Sequence, residues 1–340
     1  MSDLKRIINQ FRISGEVIKI SAWGGGHIND TFKIQCNSGI DYILQKVNTQ
    51  IFTSPTALME NLIAVTKHVH RKKEYSDLVV KLITTNNGDF WVHDALGFWR
   101  MYPFVEKKSS YDVTNSYEIC EKAGRSYGAF LGAMDDFPVN KLNITIPKFH
   151  NMCYRLEQFQ QALTNQNEAR LKAAHSEIEY VQSKADFYSN WYALAVHTHQ
   201  LRVTHNDTKL NNVLIGDAYF GTVIDLDTVM PGYALFDVGD ALRSLVISLK
   251  EDDPNVDEME LDHQKKDAFL KGYLDSACDV LSAQEVDSFN QAGGYMAYIM
   301  AVRFITDFLN GNVYYKTKYP NHNLVRARNQ LRVCELFLSY

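Results

Sequence analysis

Thr204-His205-Asn206-Asp207-Thr208-Lys209-Leu210-Asn211-Asn212-Val213-Leu214-Ile215 and, past the turn residues Gly216 to Gly221, Thr222-Val223-Ile224-Asp225-Leu226-Asp227 form the stretch that decides how this chain reads. Val213-Leu214-Ile215 and Thr222-Val223-Ile224 are short apolar runs separated by turn signals, the pattern of a hairpin. Pairing 214 with 223 sets Asn212 opposite Asp225 at the open end, where directly opposed Cβ atoms lie about 4.5–5.5 Å apart. An amide oxygen beside a carboxylate suits a hard divalent cation such as Mg2+. Asp207 lies one loop earlier, within reach of the same place as a base, and Lys209 is placed to reach a phosphate.

Phosphoryl transfer requires a carboxylate that receives or orients the proton of the attacking hydroxyl, and groups that hold metal ions against the phosphates. The spacing His-x-Asp-x-x-x-x-Asn from His205 to Asn212, with an aspartate after the following strands, matches the catalytic half of the kinase signature. A polar turn with a coincidental Asp and Asn would need spacing, hairpin context and second aspartate all to coincide. In Phe236-Asp237-Val238-Gly239-Asp240-Ala241-Leu242-Arg243, Asp237 or Asp240 reads as an anchor that ties down the catalytic loop by hydrogen bonds. His197, His199 and His205 cluster without a Cys or carboxylate pattern, so they read as structural or solvent-facing.

Upstream, Val17 to Ile20, Thr31 to Cys36 and Tyr42 to Val47 read as three strands. A helix opens at Ser54-Pro55 and places Leu58, Leu62, Val65 and Val69 on one face. Leu78 to Ile83, Phe90 to Val92 and Trp99 to Tyr102 supply two or three more strands. Beyond residue 104 the pattern is helical over 116–135, most of 150–200, 260–276 and 284–311. Gly24-Gly25-Gly26, between the first two strands, would let backbone amides approach a phosphate, although a flexible hairpin turn explains it equally well. Lys46, with Glu60 in the next helix as its partner, is the candidate cation for the nucleotide phosphates. Alternation puts Gln45 and Lys46 on opposite faces and leaves open which one faces the cleft. The expected fold class is α+β: a two-lobed protein-kinase-like fold, with a small strand-rich N-lobe over 1–103 and a larger, mainly helical C-lobe over 104–340.

A chain of 340 residues is long enough for two lobes and a stable core. The net charge of -5, with no long run of one sign, argues against a nucleic-acid surface or a polybasic membrane surface. Five dispersed cysteines without a Cys-x-x-Cys pair fit free thiols in a reducing compartment. The first 15 residues read as a short amphipathic helix without the apolar core of a signal peptide. No segment approaches the roughly 20 apolar residues needed to span a bilayer. The expectation is a soluble, cytoplasmic protein with no nucleic-acid or membrane partner.

Longer blocks carry a resemblance: Gly26-His27-Ile28-Asn29-Asp30-Thr31, Tyr42-Ile43-Leu44-Gln45 with Asn48-Thr49, Val203 to Leu214, Ile224 to Gly232 and Phe236 to Arg243. Near the C-terminus stand Arg303-Phe304, Asp307, Tyr314, Lys318-Tyr319-Pro320 and His322 to Arg326. On these the chain resembles the aminoglycoside phosphotransferase and choline kinase superfamily and, more narrowly, the N-acetylhexosamine 1-kinase family. The resemblance implies ATP- and Mg2+-dependent phosphorylation of the anomeric hydroxyl of N-acetylglucosamine or N-acetylgalactosamine. It implies Asp207 as the catalytic base and Asn212 and Asp225 as metal ligands. His27, Arg303 and Tyr314 would line the sugar pocket, and the adenine would bond to backbone near Phe104-Val105. The third strand of that family does not reliably carry the lysine of other kinases, which leaves the phosphate role of Lys46 open. Two other readings stand beside this one: a kinase of an aminoglycoside or amino alcohol, and a catalytically silent nucleotide- or sugar-binding module. The intact set of Asp207, Asn212 and Asp225 argues against silence.

Overall fold

The computed structural model describes residues 2–24, 28–164 and 167–339. Helix α1 (Ser2–Ile8) precedes strands β1 (Val17–Ala22), β2 (Asp30–Cys36) and β3 (Tyr42–Val47), and helix α2 (Pro55–Arg71) separates these from β4 (Val92–Asp94) and β5 (Gly97–Pro103). The strands form one antiparallel sheet in the order β1-β2-β3-β5-β4. Proline at the first turn opens α2, and Leu58, Leu62, Val65 and Val69 are buried as their spacing predicts. Leu78 to Ile83, expected as a strand, is not one. Leu78 O accepts from Val223 N at 2.7 Å, while Ile83 N donates to Met101 O at 2.8 Å. The segment divides its hydrogen bonds between the hairpin below and the sheet above, so neither ladder extends along it.

The pleat sorts the sheet into two faces. Ile34, Tyr42, Leu44, Trp99 and Met101 turn away from the rest of the molecule and pack on Ile7, Ile8 and Phe11. Val47 and Phe98 turn the other way, into the core shared with α2 and the helical lobe. Because Gln45 pairs with Arg100 and Lys46 with Trp99, Gln45 and Arg100 lie on the inner face and Lys46 lies on the outer one.

The helical lobe contains α3 (Tyr117–Ala133), α4 (Met152–Leu163), α5 (Glu168–Ala173) and α6 (His175–Thr198). After these come β6 (Arg202–Thr204), β7 (Val213–Leu214), β8 (Thr222–Val223), β9 (Met230–Gly232) and α7 (Ala234–Leu245). The chain ends with α8 (His263–Ala277), α9 (Ala283–Leu309) and α10 (His322–Leu338). Ser116 caps α3 and a Ser282–Glu285 capping box opens α9. Helix α10 is not evident from the sequence, because buried Asn323, Asn329 and Gln330 interrupt its apolar stripe. Helices α3 and α8 touch backbone to backbone. A Cβ added at Gly124, Gly128 or Gly272 would overlap the carbonyl oxygens of Phe269, Tyr273 and Glu121 respectively. A small antiparallel sheet over a helical lobe is the two-lobed, kinase-like arrangement expected from the sequence. Among the described residues, no helix is long and apolar enough to cross a membrane.

Candidate active site

The site is built on β6 and β9, which pair Thr204 with Met230. The chain leaves β6 through His205 and Asn206, whose amides donate to the Asp237 carboxylate at 2.9 and 2.7 Å. Asp237 lies in the first turn of α7, so of the two expected anchors it is the one that holds the loop. Asn206 adopts a left-handed φ of 63°. Its side-chain amide donates to Thr204 O at 3.2 Å and Thr228 O at 3.0 Å, which offsets the backbone cost. His205 is structural, as its surroundings suggested: Nδ1 accepts from Asp207 N at 3.3 Å and Nε2 bonds Ile224 O at 2.9 Å. Burial pushes this imidazole down and keeps it neutral.

Asp207, Lys209 and Asn212 come together. Asn212 Nδ2 donates to Asp207 Oδ2 at 3.0 Å and to Asp207 O at 2.8 Å. The Lys209 ammonium pairs with Asp207 Oδ1 at 3.1 Å. Tyr127 OH fixes the Lys209 carbonyl at 2.7 Å. Burial opposes ionisation of Asp207, but the Lys209 ammonium outweighs it and holds the carboxyl below its usual range. The group is therefore ionised and able to accept a proton.

The hairpin forms one residue out of the expected register, with Val213 opposite Val223 and Leu214 opposite Thr222. The reason is Ile215, which exchanges both backbone hydrogen bonds with Ser109, each at 2.8 Å, instead of extending the hairpin. Asn212 O consequently accepts from Ile224 N at 2.9 Å, so Asp225 is not directly opposite Asn212. Asp225 takes a left-handed φ of 57°, which ends the strand alternation. Its carboxylate is open to the cleft and makes no hydrogen bond or ion pair among the described residues. Desolvation, then Asp227 and Asp207, push it up to about 7. A carboxylate strained by its neighbours, beside an Asn whose amide nitrogen is engaged and whose oxygen remains, is a donor set that fits Mg2+. Among the described residues no trio of His, Cys, Asp or Glu could hold a metal ion alone. Mg2+ characteristically binds one or two protein groups and completes its shell with phosphate oxygens and water.

The small lobe faces this cluster with Arg100. Its guanidinium is 1% exposed and meets Asp227 Oδ1 at 2.5 Å. Gln45 Oε1 accepts from Arg100 Nε at 3.0 Å and Nη2 at 2.9 Å, and Gln45 Nε2 donates to Thr31 Oγ1 at 3.2 Å. Asn29 Nδ2 donates to Asp227 Oδ2 at 2.7 Å. Lys46, expected near the phosphates, stands instead on the outer face with its ammonium 5.7 Å from the Trp99 ring centroid. Its expected partner Glu60 accepts from Asn143 Nδ2 at 3.0 Å. Of the glycine run, Gly24 has a φ of 75°. Gly25, Gly26 and His27 lie outside the described residues. At the connection between lobes the Phe104 amide is already donated to Asp41 O at 2.8 Å. The Val105 amide, also expected there, makes no backbone hydrogen bond among the described residues.

Arg303 and Tyr314 come together at the other end of the cleft. The Arg303 guanidinium lies 4.9 Å from the Phe149 ring, 6.0 Å from Tyr314 and 5.6 Å from Tyr315. Asp307 shapes the Tyr314 loop by accepting from the amides of Val313, Tyr314 and Tyr315 at 2.9, 2.8 and 3.0 Å. His150 joins this end to the catalytic loop, its Nε2 lying 3.1 Å from Asn206 O. Burial, then Arg303, push His150 down to about 3. Arg155 donates Nε and Nη2 to Phe149 O at 3.2 and 2.9 Å. Burial, then Arg303, push it down to about 10. Sequence reasoning misses His150, Arg155, Arg100 and the role of Asp227. The one available signal is a lone arginine in the apolar run Phe98-Trp99-Arg100-Met101.

Residues 19–277 match the family described as the phosphotransferase enzyme family, APH. Solved structures of the same fold include an amicoumacin kinase in complex with AMP-PNP, Ca2+ and amicoumacin, at 14% identity and a TM-score of 0.63 over 98% of this chain and 92% of that one. A microcompartment-associated aminopropanol kinase matches at 14% identity and 0.61, over 100% and 97%. Choline kinase LicA from Streptococcus pneumoniae matches at 14% identity and 0.58, over 96% and 95%.

Proposed function

We propose, for a chain that belongs to the phosphotransferase enzyme family, that ATP phosphorylates the anomeric C1 hydroxyl of an N-acetylhexosamine, giving the sugar 1-phosphate and ADP. The coarser activity is ATP-dependent phosphoryl transfer to a small hydroxyl-bearing substrate. The observation that carries the finer reading is the charge at the acceptor end. Arg303 and Arg155 make no ion pair with a carboxylate among the described residues, and aromatic rings surround them. A cationic acceptor such as an aminoglycoside or choline would meet two guanidiniums there. A neutral ring with several hydroxyls and an amide accepts hydrogen bonds from Arg303 and packs its apolar face on Tyr314.

In this reading Asp207 takes the proton of the C1 hydroxyl as that oxygen forms its bond to the γ-phosphorus. The bond to the β–γ bridging oxygen breaks, ADP departs with the electron pair, and Asp207 returns the proton to solvent. Lys209 and Asn212 hold both carboxylate oxygens of Asp207, so its orientation is set before the acceptor arrives. When bound at Asn212 and Asp225, Mg2+ supplies charge neutralisation of the phosphates.

The test is a panel of N-acetylglucosamine, N-acetylgalactosamine, the methyl glycoside of each, choline and an aminoglycoside, scored by ADP release with phosphorus NMR of the product. Phosphate at C1, and no turnover of the methyl glycoside, are the expected results. Arg303→Ala raises the sugar KM by roughly 10–200-fold with little change in the ATP KM. Phosphate at C6, or preference for choline or the aminoglycoside, overturns the N-acetylhexosamine reading.

A further inference from the structure

Arg100 and Asp227 meet across the two lobes. Asp227 lies two residues beyond Asp225, in the short turn that follows it. Both side chains are almost fully enclosed, at 1% and 5% exposure, so the guanidinium is spent on this contact and not presented to solvent. The pair is the centre of a chain of contacts through β2 and β3. Asn29, just past the glycine run, donates to Asp227, and its own Oδ1 accepts from Asn48 N at 3.0 Å beyond β3. Gln45 on β3 holds the guanidinium from the other side and reaches back to Thr31 on β2.

Asp225 shares its corner with Asp207 and Asp227, and both carboxylates oppose its charge. Lys209 answers Asp207 and Arg100 answers Asp227, which leaves the Asp225 carboxylate as the one with no partner among the described residues. We infer that Arg100 is a positioning residue: by pairing with Asp227 it joins the small lobe to the turn that carries Asp225 and sets that carboxylate for a divalent cation. Asn29 ties the start of β2 to the same turn. The inference rests on the assignment of Asp225 as a metal ligand.

The experiment measures the affinity of AMP-PNP with and without Mg2+ by calorimetry, together with the thermal midpoint. The proteins are the wild type, Arg100→Lys, Asn29→Ala, the double variant Arg100→Met/Asp227→Asn, and Asp225→Ala as control. Expected is metal-free AMP-PNP affinity within roughly twofold of wild type in every folded variant. The gain conferred by Mg2+ falls by about tenfold or more in the double variant, less in Asn29→Ala, and least in Arg100→Lys, which keeps the charge. Arg100→Lys and Asn29→Ala decide the matter if the double variant does not fold. A lower thermal midpoint with the wild-type response to Mg2+, while Asp225→Ala loses that response, overturns the inference and leaves the metal assignment standing. A wild-type response in Asp225→Ala overturns the metal assignment and the inference with it.

Discussion

Replacing Asp237 by asparagine separates the two things its carboxylate does, accepting two backbone amides and bearing a buried charge. The group is 3% exposed, and desolvation pushes its carboxyl up to about 7 in spite of the His205 and Asn206 amides. An unfolded aspartate titrates at about 3.9, well below this. The folded pKa is raised. The native state therefore holds a proton the unfolded state lacks between about pH 4 and pH 7, and the resulting stability is lost as pH rises through about 7. An asparagine at this position would not titrate. It would keep one acceptor and turn its NH2 toward the second amide, leaving a buried donor unmet at a cost of about 1–3 kcal/mol. Between pH 5 and pH 7 Asp237→Asn should gain about 3 kcal/mol on wild type, at about 1.4 kcal/mol per unit, enough to close or reverse a deficit of about 1–3 kcal/mol. Urea unfolding of both proteins at the two pH values measures this. Parallel pH profiles would refute the reasoning, since they would mean Asp237 keeps an ordinary carboxylate pKa in the fold. Loss of one anchor should also lower kcat at both pH values, because His205 and Asn206 lead directly into Asp207.

Asp207→Asn should lower kcat by ~10²–10⁴-fold while AMP-PNP binding stays near wild type, and near-normal turnover would remove Asp207 as the base. Lys46→Ala should leave the ATP KM within roughly threefold of wild type, because its ammonium lies over Trp99 on the outer face. A ~10²-fold loss there would place that ammonium on a phosphate after all. His150→Gln keeps a donor toward Asn206 O and removes a buried imidazole pushed down to about 3. An unfolded histidine takes up a proton below about 6.5 while the folded one does not. Wild type should therefore lose stability relative to His150→Gln by about 1.4 kcal/mol per unit as pH falls below about 6.5, read by denaturant titration.

The grouping of the candidate site's loop was legible because its parts are close in sequence. Asp207, Lys209 and Asn212 lie within one loop, where spacing alone brings them together. The two lobes were legible from the change from alternating to helical periodicity near Pro103. Register was not, because the hairpin gives up Ile215 to Ser109, a residue more than 100 positions away in the sequence. The Arg100–Asp227 pair was out of reach for the same reason. Which face of β3 looks inward depends on β5 being its neighbour, and alternation within either strand is silent on that. Lys46 illustrates the cost of that silence, since it matches the residue type and the strand but not the face. Helix α10 escaped because side chains that hydrogen-bond inside the fold read in sequence as surface.

The glycines of α3 and α8 bear on how this molecule moves. Helices that meet through carbonyl oxygens, with no room for one methyl group at Gly124, Gly128 or Gly272, cannot slide past each other or separate a little at a time. Tyr127 stands on α3 and holds the Lys209 carbonyl, so the floor of the cleft is mounted on this seam. Domain breathing has to be taken up elsewhere, in the connection after β5 where Val105 makes no backbone hydrogen bond among the described residues. In deuterium-exchange terms, the amides of α3 and α8 should be the last in the chain to exchange, released only by global unfolding, while those around the connection exchange through small local openings.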